Sequence, residues 1–157
     1  MTLPPFQMLL DAHSRDVHRF LVATVGRTDA DDCYQETWLA ALRGYPRLTE
    51  LTNPRGWVLT IAYRKAMDHL RARKRRATPV AEPPEQPEPP ASAAELPDDG
   101  LWTLVAELPP KQRVALTLRF VADAPYAEIS GVMETSEDAA RRNVYEGLKR
   151  LRTEYQP

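Results

Sequence analysis

Basic side chains are concentrated between residues 64 and 76, a stretch that holds seven lysines or arginines and a single acid, Asp68. Trp57 and Tyr63 lie just before this stretch. Cations neutralise phosphates, and aromatic rings stack on unpaired bases. The pattern therefore favours a nucleic-acid surface over a solvated helix end, where cations would only offset the helix dipole. At helical spacing one face carries Thr60, Arg64, Met67, Arg71 and Lys74.

A second set of candidate DNA-binding residues lies near the C-terminus. Residues 126–133 predict a short helix, residues 134–136 a tight turn, and residues 137–152 a longer helix with one apolar and one polar face. This is the layout of a helix-turn-helix, whose second helix can enter the major groove. The pattern also fits an ordinary solvated helix in a small bundle. The outward positions are Ser136, Asp138, Arg141, Arg142, Tyr145 and Lys149.

An acidic cluster between residues 29 and 36 could in principle bind a metal. Its members are Asp29, Asp31, Asp32 and Glu36. Asp32 and Glu36 share a helix face, but no histidine joins them locally, and acids in a first helical turn are explained by the helix dipole. His13, His18 and His69 are dispersed. Cys33 is expected to pack inward as a small hydrophobe.

The residue types that catalysis requires are missing as a set. The sequence has neither a glycine-rich phosphate loop nor a nucleophile with a neighbouring base. We therefore expect a protein that is not an enzyme, with no catalytic residue, no metal site and no cofactor.

Helical periodicity runs through most of the chain, and strand-type alternation is absent, so the predicted fold class is all-α. Thr28 is a candidate N-cap for the second helix. Residues 47–53 are expected to form a loop, and Pro54 suits the first turn of the third helix. The predicted helices are 6–25, 28–43, 54–76, 101–108, 110 to the break at Asp123, 126–133 and 137–152.

The charge changes abruptly at Ala77. Residues 1–76 carry a net +5, residues 77–100 carry −6 with seven prolines and no base, and residues 101–157 are neutral. A segment so poor in large apolar residues cannot offset its ordering entropy. The predicted organisation is two small helical domains, 1–76 and 101–157, joined by a flexible acidic proline-rich linker at 77–100.

Cysteine content and hydropathy indicate the compartment. A single cysteine excludes an internal disulfide, and no apolar run approaches the ~20 residues of a membrane span. The N-terminal residues lack the basic and apolar regions of a secretory signal. We expect a cytoplasmic protein.

Several segments resemble conserved regions of one protein family. Residues 29–38 (DADDCYQETW) are similar to the region 2.2 signature of bacterial RNA polymerase sigma factors. Residues 53–62 (NPRGWVLTIA) and 66–71 (AMDHLR) look like regions 2.3–2.4. Residues 108–113 (LPPKQR) look like the start of region 4, and residues 126–129 (YAEI) with the last helix resemble its helix-turn-helix. Their order and spacing resemble the extracytoplasmic-function (ECF, group 4) sigma factors, which keep only regions 2 and 4.

The resemblance implies partners and a role for each surface. It implies binding to core RNA polymerase (β′ clamp helices and β subunit) and to promoter DNA, a probable anti-sigma factor, and a nucleoid-associated location. The implied clamp-binding residues are Asp32, Gln35, Glu36 and Leu39. The implied −10 residues are Arg47, Asn53, Arg55, Trp57, Arg64, Arg71 and Lys74. The implied −35 residues are Ser136, Arg141, Arg142, Tyr145 and Lys149.

The chain departs from the family pattern at a few positions. Tyr63-Arg64 stands where Arg-Asn is frequent, and Glu134 stands at the turn glycine of region 4. Asn143 and Glu146 occupy usually basic positions of the recognition helix. Because an acid at 146 would repel phosphate, the sequence predicts weak or unusual −35 binding. In this family the connector threads the polymerase cleft, which the six acids of residues 77–100 would suit.

Two other functions remain open at this level. One is a stand-alone helix-turn-helix regulator that binds duplex DNA without polymerase, although the neutral charge of residues 101–157 argues against it. The other is a sigma-like protein that only sequesters a partner.

Overall fold

The computed structural model describes residues 3–76 and 100–155, and within these ranges every regular element is helical. The all-α prediction is therefore confirmed. The helices are α1 (Phe6–Val25), α2 (Arg27–Gly44), α3 (Pro54–Arg76), α4 (Leu101–Glu107), α5 (Pro110–Phe120), α6 (Tyr126–Met133) and α7 (Glu137–Glu154), with a single 3-10 turn at Tyr45–Arg47.

The N-terminal half, residues 3–76, is a bundle in which α1, α2 and α3 pack against one another. Its core contains Phe20 and Leu21 from α1 and Leu59 from α3, all fully buried. The chain reverses after α1 at Gly26, whose φ of 86° suits glycine and whose N–H donates to the Val22 carbonyl. The helix spacing read from the sequence thus places one apolar face of each helix inward.

The C-terminal half, residues 100–155, packs α7 across α5 and α6. Leu118, Ile129 and Val144 are buried in its core. Gly147 lets α7 approach α5 closely, because a Cβ at this position would lie 2.8 Å from Leu116 Cδ1. This half therefore holds the short-helix, turn and long-helix arrangement that the sequence predicts.

The two halves contact each other. Helix α1 packs against α4 and α5, and α3 packs against α6 and α5. Arg113 of α5 is partly buried at this junction and donates to the Thr24 carbonyl (2.9 Å) and to the Leu108 carbonyl (3.0 Å). Burial lowers the pKa of Arg113, and the nearby Arg73 cation acts in the same direction.

The predicted N-cap of the second helix is wrong. Helix α2 begins at Arg27 with Gly26 in the N-cap position, so Thr28 lies inside the first turn. Among the other bounds, α4 ends one residue early at Glu107, and α7 continues to Glu154. The predicted linker lies almost wholly outside the described residues, and the domain boundaries stay a prediction.

Candidate functional site

One face of α2 carries the four residues assigned above to polymerase binding. They are Asp32, Gln35, Glu36 and Leu39, and all four are exposed. The opposite face of the helix is buried through Cys33, Thr37 and Ala41, which explains why this face points outward. Leu39 and Leu42 are 52% and 50% exposed, although both are large and apolar. Leu42 was missed in the sequence, although its spacing of three residues from Leu39 is the signal that could have identified it.

The acidic cluster divides between different partners. Asp29 lies 3.0 Å from His69 and 3.5 Å from Arg73, both on α3, so it ties α2 to α3. Asp31 faces α1, where it lies 3.5 Å from His18. Only Asp32 and Glu36 remain on the outward face. Within the described ranges, no group of three or more His, Cys, Asp or Glu residues could hold a metal ion.

Cys33 lies beneath this acidic face and is 1% exposed. Burial raises the pKa of its thiol to about 11, and the carboxylates of Glu36, Asp29 and Asp32 act in the same direction. The side chain therefore packs as a small hydrophobe, as the sequence predicts.

The −10 candidates differ widely in their surroundings. Arg47, Arg71 and Lys74 are exposed, and Arg71 lies 3.4 Å from Asp68. Trp57 is half-buried, with its ring centroid 6.3 Å from that of Tyr45. The exposed cations can meet phosphate in this arrangement, whereas the Trp57 ring is partly occupied by packing.

Asn53 acts as the cap of α3. Its side-chain oxygen accepts the backbone N–H of Gly56 at 3.1 Å, and its carbonyl accepts that of Trp57 at 3.0 Å. A Cβ at Gly56 would lie 2.5 Å from Asn53 Nδ2, so the close fit depends on glycine. Pro54 was expected in the first turn, but the capping signal of the asparagine before it was missed in the sequence.

Arg55 is engaged with the C-terminal half. It donates from Nε and Nη2 to the two carboxylate oxygens of Glu128, at 3.0 and 2.7 Å. Its Nη1 also donates to the Ala122 carbonyl at 2.8 Å and lies 3.7 Å from Asp16. The hydrogen bond to Glu128 raises the pKa of Arg55. The guanidinium is therefore not available to DNA in this arrangement.

Arg64 is also engaged, in an ion pair with Glu134 at the end of α6. Its Nε donates to Glu134 Oε1 at 2.9 Å, and Nη2 donates to the same oxygen. Glu134 has φ 54° and ψ 46°, so the backbone at this turn position is in the left-handed conformation that favours glycine. A non-glycine residue there costs about 1 kcal/mol.

The −35 candidates lie on α7 and on the turn before it. Ser136 is the N-cap of the helix, with its hydroxyl accepting the Ala139 N–H at 3.1 Å. Arg141 lies 3.5 Å from Glu137 and packs over the Tyr126 ring, 5.1 Å from its centroid. The candidates whose side chains are simply exposed are Arg142, Tyr145 and Lys149. Glu146 is exposed beside them and Asn143 is half-buried.

A groove of about 610 Å³ lies between α3 and the turn and long helix of the helix-turn-helix. Arg64 and Arg71 line it from α3, and Arg142 and Asn143 line it from α7. Tyr63 also lines it, and burial raises the pKa of its phenol. Some of the residues assigned to two different DNA elements therefore face each other.

Comparison with known proteins identifies the family. Residues 9–76 match the Sigma-70 region 2 family and residues 99–151 match the Sigma-70, region 4 family. The chain is 30% identical over 154 residues to the ECF RNA polymerase sigma factor SigC of Mycobacterium tuberculosis, a match that covers 96% of this chain and 83% of SigC. The chain belongs to the ECF sigma factors. This confirms the resemblance, and a stand-alone regulator is not favoured, because region 2 is present beside region 4.

Two further comparisons are with other sigma factors. The chain is 35% identical to SigJ of M. tuberculosis over 144 residues, which are 85% of this chain but only 45% of SigJ. The structure of the sigma factor RpoE of Bartonella quintana in complex with the anti-sigma factor NepR has the same fold, with a TM-score of 0.75, 16% identity and 94% of each chain covered. Among the helices described, none is long and apolar enough to cross a membrane.

Proposed function

We propose that this chain binds core RNA polymerase through the outward face of α2 and directs it to promoters. Region 2, mainly through α3 and the loop before it, would engage the −10 element, and α7 would enter the major groove at the −35 element. Family membership, the exposed cations of α3 and α7 and the helix-turn-helix geometry support this proposal. As a sigma factor the chain would act by binding, with no catalysis of its own.

The observation that carries the polymerase assignment is the exposed face of α2. Two half-exposed leucines, Leu39 and Leu42, lie in line with the acids Asp32 and Glu36 on a helix whose other face is buried. A solvated helix face gains nothing from two large apolar side chains, whereas a protein interface gains from their burial. The acids at its edge suit a partner surface of positive charge.

Reversing the acids on this face should abolish docking. We expect Asp32→Arg with Glu36→Arg to weaken binding to core polymerase at least tenfold, because like charges would then oppose each other at the interface. Asp11→Arg with Asp31→Arg is the matched control, since it carries the same charge change on exposed positions outside the face. Binding is measured with labelled chain and purified core enzyme, and circular dichroism checks that each variant is folded. Equal affinities for both double variants would reject the interface.

The function itself is tested by transcription. Purified chain added to core polymerase should produce run-off transcripts from a cognate promoter, found by genome-wide promoter mapping. A chain that binds core enzyme but supports no transcript would be a sequestering protein. A chain that binds duplex DNA tightly and needs no polymerase would be a stand-alone regulator.

We also propose an anti-sigma factor as a second partner. Structures with this fold include RpoE bound to NepR and CnrH bound to the cytosolic domain of CnrY. An exposed docking face such as that of α2 is a surface that an inhibitor could cover. Co-purification of a small protein that blocks transcription by this chain would support the assignment. A location with the nucleoid would follow from promoter binding.

A further inference from the structure

We propose that Tyr126 is a positioning residue for −35 recognition, whose ring holds the guanidinium of Arg141 in place on the outward side of α7. The inference rests on the proposed function, which assigns Arg141 to the −35 element. It adds to that site a residue outside α7, at the first position of α6.

The guanidinium of Arg141 is held from more than one side. Its Cζ lies 5.1 Å from the centroid of the Tyr126 ring, a distance at which a cation is attracted to the face of an aromatic ring. Its Nη2 lies 3.5 Å from Glu137 Oε2, and its Nη1 lies 3.6 Å from Asp138 Oδ1. One ring and two carboxylates therefore limit the orientations of a side chain that is 52% exposed.

The Tyr126 ring is itself held from α5. Tyr126 is half-buried, and the Cζ of Arg119 lies 4.6 Å from its ring centroid. Arg119 also donates from Nη1 to the Ala124 carbonyl at 3.1 Å, in the segment between α5 and α6. The ring thus connects three helices of the C-terminal half, and it is a fixed support for Arg141 rather than a second mobile side chain.

An arginine held in this way is suited to read guanine. The guanidinium can donate two parallel hydrogen bonds to guanine O6 and N7 in the major groove, which requires a defined orientation of its plane. Arg141 lies early in α7, in the part of a recognition helix that meets base edges. A long side chain that is already ordered loses less conformational freedom on binding. The contact with Tyr126 should therefore strengthen binding to DNA.

The ring and the two acids differ in what they leave available. Glu137 and Asp138 accept hydrogen bonds, so they compete with guanine for the N–H donors of Arg141. The face of the Tyr126 ring attracts the cation through its quadrupole and does not use up those donors. Tyr126 can therefore support Arg141 while Arg141 is bound to a base.

The contact is tested first in the free full-length chain, without DNA or polymerase. In NMR spectra the side-chain protons of Arg141 should be shifted upfield by the ring current of Tyr126. The shift should be lost in Tyr126→Leu and kept in Tyr126→Phe, because phenylalanine retains the ring. Arg150, which is exposed on the same helix, is the control and should give the same signals in all three chains. Arg141 signals that are equal in the parent chain and in Tyr126→Leu would overturn the proposal.

Affinity for a −35 duplex then tests the positioning. The full chain is assembled with core polymerase, and the duplex comes from a promoter that it transcribes. Tyr126→Leu should weaken binding about two- to fivefold, as expected for the loss of a cation–π contact at an exposed site. Tyr126→Phe should bind like the parent chain. An equal loss in Tyr126→Phe would overturn the proposal, because the hydroxyl and not the ring would then be required.

A double-mutant cycle separates positioning from a general effect on the fold. With Arg141→Ala present, Tyr126→Leu should cause no further loss, because no arginine is left to position. With Arg142→Ala present, the loss should remain about two- to fivefold. Arg142 is the matched control, since it is exposed next to Arg141 and no contact between it and Tyr126 is found among the described residues. Urea unfolding checks that each variant is folded. Equal losses in the two backgrounds would overturn the proposal.

Failure of the proposed function would give a different result. If the parent chain with core polymerase binds no −35 duplex, the assignment of α7 is rejected and the role of Tyr126 is rejected with it. If the parent chain binds and the two losses are equal, only the positioning role is rejected.

Discussion

Cys33 shows how one side chain is made inert by its position. It lies on the buried face of α2, directly beneath the acids that we assign to polymerase binding. Burial raises its pKa to about 11, and three carboxylates add to the shift, so the reactive thiolate is scarce near neutral pH. Although cysteine is a nucleophilic residue type, the side chain of Cys33 therefore serves only for packing.

The native thiol should resist alkylation. At pH 8 the thiolate fraction of Cys33 should be about 100-fold lower in the folded protein than in the unfolded chain, and burial should slow the reaction further. Reaction with a disulfide reagent, followed with and without urea, measures the difference. A chain with Cys33→Ala and Leu42→Cys is the control, because its exposed thiol should react rapidly without urea. Native Cys33 reacting as fast as that control would contradict the burial.

Arg55 and Arg64 show a different effect at the same scale. Both belong to the basic side of α3, but their guanidinium groups bind Glu128 and Glu134 of the C-terminal half. An arginine suited to a phosphate is equally suited to a carboxylate, since both accept the same pair of parallel hydrogen bonds. In the described arrangement each of the two arginines binds a carboxylate of the C-terminal half.

At the scale of elements, the turn between α6 and α7 depends on two residues. Glu134 adopts the left-handed conformation that ends α6, and Ser136 caps α7 through the Ala139 N–H. Acids at Glu137 and Asp138 follow in the first turn, where the helix dipole favours them. Ser136 is thus a structural residue and also a candidate for contact with DNA.

Two substitutions at Ser136 separate these roles. Ser136→Ala should lower the free energy of unfolding by about 1 kcal/mol, because the N-cap is lost. Ser136→Asp should retain stability, because aspartate caps equally well, but should weaken DNA binding by repelling phosphate. Urea unfolding and affinity for a −35 duplex measure the two effects. Wild-type DNA affinity in the folded Ser136→Asp chain would leave this position with a capping role alone.

At the scale of the molecule, a cluster of charged groups joins the two halves. Arg55 of α3 meets Asp16 of α1 and Glu128 of α6, and His13 lies beside them. Burial lowers the pKa of His13 below its ordinary 6.5. Asp16 and Glu128 oppose that shift, and Arg55 adds to it. The packed arrangement therefore favours the neutral imidazole.

Acid should weaken this arrangement through His13. The pKa of His13 in the folded chain lies below 6.5, so the unfolded chain binds a proton first as the pH falls. Stability that is present above pH 6.5 is therefore lost progressively below it. We expect the melting temperature to fall between pH 7.5 and 5.5 less steeply in His13→Gln than in the parent chain. His18 and His69, which face Asp31 and Asp29, are present in both chains and cancel in the comparison. Melting temperatures that fall equally steeply with pH in both chains would show that His13 does not contribute.

The sequence by itself determined the helices and the family. Each helix depends on residues three or four positions apart and on caps next to its ends, so periodicity predicted all seven with small errors at their ends. The motifs at residues 29–38 and 53–62 are likewise local, and they identified the sigma-factor family before any contact was known. The candidate polymerase-binding face of α2 was in turn implied by the resemblance to that family.

Only the tertiary structure decided which contacts the candidate DNA-binding residues make. The pairs of Arg55 with Glu128 and Arg64 with Glu134 join positions 73 and 70 residues apart, a separation at which no local pattern can signal a contact. The contact of Trp57 with Tyr45 is also tertiary, because it forms only when the chain reverses between α2 and α3. A residue's type sets which partners it can bind. Which partner it meets depends on how the helices pack, and that packing is a property of the whole chain.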